Sequence, residues 1–161
     1  MIVPEVFEVA HLFARANIRY WVFGGNGVEL CVSHSIRTHD DLDFLVSSTQ
    51  APDAVNLLEG VGWVYSSESL EQGDVFLERG GLVLDLVPID DSQNSPHSQG
   101  ELERIVWPGD FLIPFTAQAG IITLRPQMHL EMKTLIREFY GLEQVRAKDL
   151  LDQSALRSVL V

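Results

Sequence analysis

Residues 82–87 read Leu-Val-Leu-Asp-Leu-Val, an apolar run interrupted by one acid. A short continuous run of this kind, bounded by turn residues, is the signature of a central, buried strand. A carboxylate inside it is costly unless it is paired, hydrogen-bonded or metal-bound. Asp85 therefore either meets an arginine or a backbone amide, or belongs to a site. Gly80-Gly81 precedes the run and another strand-like segment, residues 75–79, precedes the glycines, which is the spacing of an antiparallel hairpin.

The rest of the chain supplies a sheet around that strand. Strand patterns fall at residues 20–23, 41–46 and 63–66, with shorter extended pieces at 105–106, 111–113 and 120–124. Helical spacing runs over 4–16, 54–59, 125–140 and 146–160. Gly24-Gly25-Asn26-Gly27 breaks the first strand ahead of a brief helix at 28–32, and 33–38 is a loop. Residues 90–101 form the most polar stretch and read as a surface loop. His11, in the first helix, is a packing or surface histidine. There is no internal repeat and no long linker, so residues 1–161 are expected to form a single domain, with 125–161 as its C-terminal helical part. The order predicts an α+β fold: a small mixed β-sheet flanked by helices, with a C-terminal helical pair.

Composition narrows the function classes. With 46% hydrophobic residues in 161, the chain can bury a real core. Its apolar runs are far too short to span a bilayer, so no membrane association is expected. The N-terminal stretch lacks a basic leader and a long apolar segment, and Cys31 is the sole cysteine, which together predict a cytoplasmic protein. A net charge of −12 argues against extended nucleic-acid binding, which leans on Lys and Arg at phosphates. It leaves room for a local basic site, and it also suits a small cationic substrate.

Asp41 and Asp43 head a strand two residues apart, so their carboxylates share a face, while Asp40 falls on the other. On their own these acids could be a polar turn. If their strand lies beside the one holding Asp85, three carboxylates converge. Such a group repels itself unless a cation intervenes, and a hard divalent ion, Mg2+ above all, is the natural occupant. Gly24 and Gly25 free the backbone to approach a ligand and leave amides for a phosphate. They match neither GxGxxG nor a P-loop, and a glycine pair is by itself only a turn. Arg37 and His39 alternate with Asp41 and Asp43, and could hold the β- and γ-phosphates of a nucleoside triphosphate. The plainer reading of Arg37 is an ion pair with a local aspartate.

The combination of the glycine pair, Arg37, His39, Asp41, Asp43 and an isolated Asp85 resembles the nucleotidyltransferase superfamily that includes DNA polymerase beta. More narrowly, it is similar to the small antibiotic nucleotidyltransferases that modify lincosamides and the 2''-hydroxyl of aminoglycosides. Tyr20-Trp21, Gly27, Leu84-Asp85-Leu86 with Pro88, and Lys148-Asp149-Leu150-Leu151-Asp152, similar to a KDxxD helix, extend the likeness. Asn26 and Glu29 depart from it, standing where such enzymes usually have Trp and Asp, close to the expected substrate site. The resemblance implies that Asp41, Asp43 and Asp85 hold Mg2+, and that Asp85 also accepts the proton of an acceptor hydroxyl. It implies that Gly24, Gly25, Arg37, His39 and Lys148 bind the triphosphate, and that AMP from ATP passes to a small hydroxylated molecule. A monomer or homodimer is expected. A protein or tRNA acceptor, as in toxin–antitoxin nucleotidyltransferases, and a non-catalytic nucleotide-binding module are the alternatives; Asn26 and Glu29 keep the last one open.

Overall fold

The computed structural model describes residues 1–92 and 95–160. Among these residues, five α-helices, α1 (Pro4–Arg15), α2 (Gly24–Val32), α3 (Ala51–Gly60), α4 (Pro126–Phe139) and α5 (Ala147–Val159), surround one mixed sheet. Its strands are β1 (Tyr20–Phe23), β2 (Asp41–Ser47), β3 (Val64–Ser69), β4 (Asp74–Arg79), β5 (Leu82–Asp90), β6 (His97–Ser98), β7 (Pro114–Thr116) and β8 (Ile122–Leu124). The strand order is β3-β4-β5-β2-β1-β8-β7, with β6 added to the end of β5. The expected α+β architecture with its C-terminal helical pair is therefore present. No helix among the described residues is long and apolar enough to cross a membrane.

Side-chain alternation gives the sheet two covered faces. Leu42, Phe44, Val46, Leu84 and Leu86 point to one face and are fully buried beneath Val6, Val9 and Phe13 of α1 and Ala54 and Leu58 of α3. Phe13 meets Phe44 edge-on, ring centroids 5.6 Å apart. Each such side chain contributes about 1.5–3 kcal/mol on burial. On the other face Trp21, Leu45, Val87 and Ile89 pack with Met128 and Met132 of α4 and the stacked pair Trp107–Phe111. The acids share this second face. They occupy the end of it where β2 and β5 begin, short of the apolar packing.

β2 and β5 are parallel, and their register sets Asp43 directly opposite Asp85. β1 runs antiparallel on the other side of β2, with Phe23 opposite Asp43. The β4–β5 hairpin forms around Gly80-Gly81 as the glycine spacing predicts. β5 runs on to Asp90 through Pro88, beyond the expected end. On its outer flank β4 pairs only as far as Leu86 and β6 resumes at Ile89. Pro88 sits in that gap, where its missing N–H costs no ladder bond.

The structure corrects the sequence reading at several places. The glycines at 24–27 do not break the chain ahead of α2; they are its first turn. Gly24 takes φ +65°, turning sharply out of β1, and the helix begins at once. It then lies close to its neighbours: a Cβ on Gly27 would stand 2.7 Å from His129 Cε1 and 2.9 Å from the Val22 carbonyl. α3 begins at Ala51, with Pro52 in its first turn, three residues earlier than expected. Residues 105–106 and 111–113 are not strands. Ile105 and Phe111 are buried from turns, and the Phe111 amide donates to the Pro108 carbonyl at 3.0 Å. Of the predicted 90–101 loop, residues 93 and 94 lie outside the described residues. The remainder is anchored by β6 and by buried Ser98, which accepts the Trp107 indole N–H at 2.7 Å.

Candidate active site

A cavity of about 360 Å³ opens between the acidic end of the sheet, α4, the connection that follows it, and α5. Asp41, Asp43 and Asp85 line it from adjacent strands, joined by Asp74 from the head of β4. The cavity carries both charges: Arg37, Lys133, Arg137, Arg146 and Lys148 line it together with the acids. An apolar wall of Leu45, Val87, Leu102, Trp107, Met132 and Ile136 completes it.

The acids crowd one another. Burial first, then the charge of Asp41, pushes the Asp43 carboxyl up to about 7, even though Lys133, Lys148 and Arg37 pull the other way. Burial and then the neighbouring Asp43 and Asp74 push Asp85 far above the ordinary aspartate range. Among the described residues, the Asp85 Oδ1 atom is buried without a hydrogen-bond partner. Gly24 is as close to these acids as backbone can come. A Cβ there would stand 2.1 Å from Asp43 Oδ2, and the positive φ excludes a side chain for a second reason.

Arg37 lines the cavity and is held by α5: its Nε donates to Asp152 Oδ1 at 3.2 Å and its Nη2 to Asp152 Oδ2 at 3.1 Å. Lys148 also lines the cavity. His39 is placed differently. Its side chain is fully buried, with Nε2 2.9 Å from Glu29 Oε1, and it is not part of the cavity wall. Gly25 lines the cavity, but Arg37 and His39 press on it from behind: a Cβ there would stand 2.4 Å from Arg37 Nη2 and 2.5 Å from His39 Cε1.

Asn26 and Glu29 are buried scaffold residues and do not line the cavity. Asn26 accepts the Val3 amide at 3.0 Å and donates to the Asp41 carbonyl at 2.8 Å, so it fixes the start of β2. Glu29 accepts the amides of Ile36 and Arg37 at 2.8 and 3.0 Å, pinning the loop that delivers Arg37. Burial opposes its charge, but the Arg37 and Ile36 amides, the N-terminal ammonium and His39 outweigh it and hold the carboxyl down at about 2. The two departures from the resemblance thus shape the loop between α2 and β2 from within.

Asp74, Lys133 and Trp107 line the cavity without having been singled out from the sequence. Asp74 follows a glycine in a polar stretch, and Lys133 reads as one more residue of a helix's polar stripe. Lys133 had no local signal at all; its partners lie on α5, and only the fold brings them together.

A mixed sheet with paired acids beside a glycine-led helix, and cations lining the same cavity, is consistent with an enzyme of the nucleotidyltransferase class. The model of the aminoglycoside-2''-adenylyltransferase family matches residues 5–111, and the chain belongs to that family. A sequence search of curated proteins gives no match. Among solved structures, the chain is similar to the lincomycin-bound lincosamide antibiotic adenylyltransferase LnuA, with TM-score 0.79 and 20% identity over 98% of each chain. It is also similar to ANT(2'')-Ia in complex with adenylyl-2''-tobramycin, with TM-score 0.75 and 14% identity over 99% of this chain and 91% of that one. These likenesses extend the shared fold through α4 and α5, beyond the residues that the family model matches.

Proposed function

We propose that this protein is a cytoplasmic, Mg2+-dependent enzyme that moves AMP from ATP to a hydroxyl of a small molecule such as an aminoglycoside or a lincosamide. The observation that carries the reading is the register of Asp43 against Asp85, with Asp41 on the same face and five cations lining the same cavity. Family membership supports the reaction class. The known adenylyltransferases of similar fold, one bound to lincomycin and one to an adenylylated tobramycin, support a small antibiotic as acceptor.

The residues fit a divalent ion, although among the described residues no three His, Cys, Asp or Glu are drawn tightly enough together to enclose one. Mg2+ does not need such a cage, since it binds through one or two carboxylates and completes its shell with water and substrate phosphates. The donors are all hard carboxylate oxygens, they repel one another, and one of them is buried without a partner among the described residues. Asp41, Asp43 and Asp85 would hold the ion, which when bound neutralises charge on the triphosphate.

The chain's own groups do the rest. The triphosphate lies between the amides of Gly24 and Gly25 and the cations Arg37 and Lys148. Asp85, whose surroundings raise its proton affinity, accepts the proton of the acceptor hydroxyl. That oxygen attacks the α-phosphorus in line, and pyrophosphate leaves as the bond to the bridging oxygen breaks. Holding both reactants in one cavity supplies much of the rate. His39 acts from behind Gly25, steadying Arg37's loop.

The test incubates the protein with Mg2+, labelled ATP, GTP, CTP or UTP, and a panel of aminoglycosides and lincosamides. Label transfer to an antibiotic that disappears in Asp43→Asn supports the proposal. Tight nucleotide binding with no transfer to any acceptor would leave a binding module and sink the enzymatic reading.

A further inference from the structure

Asp152 has no solvent-exposed side chain, yet it carries two cations to the cavity edge. Arg37 binds it through Nε and Nη2, and Lys133 Nζ lies 3.0 Å from its Oδ2. Lys133 is also held by Asp149, Nζ to Oδ1 at 2.8 Å, and Asp149 in turn takes Arg146 Nε at 2.6 Å. Three elements meet here: the loop before β2, α4 and α5. An ion-pair staple would suffice to pin them, but two details go beyond a staple.

The first is the donors left over. An ammonium has three N–H donors, and the two aspartates take two of Lys133's. Among the described residues, Arg37's Nη1 has only the Thr38 carbonyl, at a distant 3.5 Å. The second is where those donors lie. Arg37 and Lys133 both line the cavity that holds Asp43 and Asp85. A cation that is fixed, partly desolvated and still has a donor to spare is suited to a polyanion. A planar guanidinium beside a compact ammonium can take oxygens of two neighbouring phosphates.

We propose that Lys133 binds the triphosphate of the nucleotide donor, and that Asp152 is the positioning residue that sets Lys133 and Arg37 side by side to receive it. The proposal rests on the nucleotidyl-transfer reading of the same cavity. It adds a phosphate ligand from α4, and it gives the buried acid of α5 a task beyond holding the helix.

The experiment compares Lys133→Gln, Asp152→Asn and Asp152→Glu with the unsubstituted protein. Calorimetry measures binding of ATP, AMP and inorganic tripolyphosphate with Mg2+ present, and steady-state kinetics separates KM for ATP from KM for the acceptor. Losing one charge-assisted contact should weaken ATP and tripolyphosphate about tenfold or more in Lys133→Gln. AMP affinity and acceptor KM should hardly move; Tm should fall, because the α4–α5 ion pairs are lost, with the variant still folded at the assay temperature. Asp152→Asn should show the same selective loss, and combining it with Lys133→Gln should add little, as expected for residues acting as one unit. If Asp152→Asn does not fold, Asp152→Glu decides: it keeps the charge but moves it by one methylene, and should weaken ATP selectively. A folded Lys133→Gln that binds ATP normally, or that loses ATP and AMP equally, overturns the lysine's role. Normal ATP affinity in Asp152→Glu overturns the positioning role. An unsubstituted protein that binds neither ATP nor tripolyphosphate would instead sink the donor reading itself.

Discussion

The aspartates at 41, 43 and 85 were legible as residues because strands alternate and because a lone acid in an apolar run needs a reason. Their cost to the fold makes a counterintuitive prediction. Asp43 has its carboxyl raised from 3.8 to about 7 when folded. Below pH 4 both folded and unfolded chains hold that proton, so it has no effect on stability. As pH climbs from about 4 to 7 the unfolded chain releases it first, and metal-free stability falls. Asp43→Asn removes that penalty, so the metal-free variant should melt higher at pH 8, by about 1–2 kcal/mol of stability, while losing nucleotidyl transfer. A metal-free Tm below that of the parent at pH 8 would contradict this account. Glu29 behaves in the opposite sense. Its carboxyl is depressed from 4.5 to about 2, so its contribution is whole above pH 4.5 and fades as pH falls toward 2. Glu29→Gln should lower stability at neutral pH by about 2–3 kcal/mol, and the gap from the parent should close in acid melts. Glu29's task was not legible: a departure from a resemblance looks like a change in the site until its hydrogen bonds show that it is scaffold.

At the scale of elements, the junction of β1 and α2 shows where sequence reasoning ran short. Glycines after a strand usually announce a turn, and a turn was the natural expectation. Here they open a helix, because only residues without Cβ let that helix start against Asp43, Arg37, His39 and His129. The pressing side chains come from segments distant in sequence, so no local pattern could reveal them. Gly25→Ala should therefore damage more than a helix-favouring substitution ought to. Its methyl would displace Arg37 and the buried His39, costing about 1–3 kcal/mol and raising KM for ATP. Gly60→Ala, whose Cβ would meet nothing within 4 Å, is the matched control and should leave activity intact. Equal behaviour of the two variants in thermal melts and ATP kinetics would show that α2 does not depend on close approach. The strand-like stretches at 105–106 and 111–113 missed for a related reason. Short apolar pieces between prolines satisfy a strand pattern, but their job is to drop Ile105 and Phe111 into the core beside Trp107.

Across the whole molecule, charge is sorted rather than balanced. A chain with net charge −12 gathers Arg37, Lys133, Arg137, Arg146 and Lys148 around one cavity, with Asp41, Asp43, Asp74 and Asp85 from the sheet and Asp149 from α5 among the cations. The acidic cluster comes from the sheet. The basic one comes mostly from the C-terminal helical pair, and Asp152 and Asp149 join that pair to the loop before β2 and to itself. Neither cluster is comfortable alone: the acids repel, and the cations have donors to spare. On the proposed function, a donor nucleotide with its divalent ion would relieve both at once, so its binding should stabilise the fold as a unit. At a concentration near one hundred times Kd, ligand linkage supplies about 2.7 kcal/mol. For a chain of this size that is a rise in Tm of roughly 5–10 °C. Mg2+ with ATP should produce a shift of that order at pH 8, ATP with a chelator much less, and Mg2+ with AMP less again. The shift should shrink in Asp43→Asn, which disables the acidic cluster, and in Lys133→Gln, which disables the basic one. If the shift survived in both variants, the nucleotide would be binding away from this cavity.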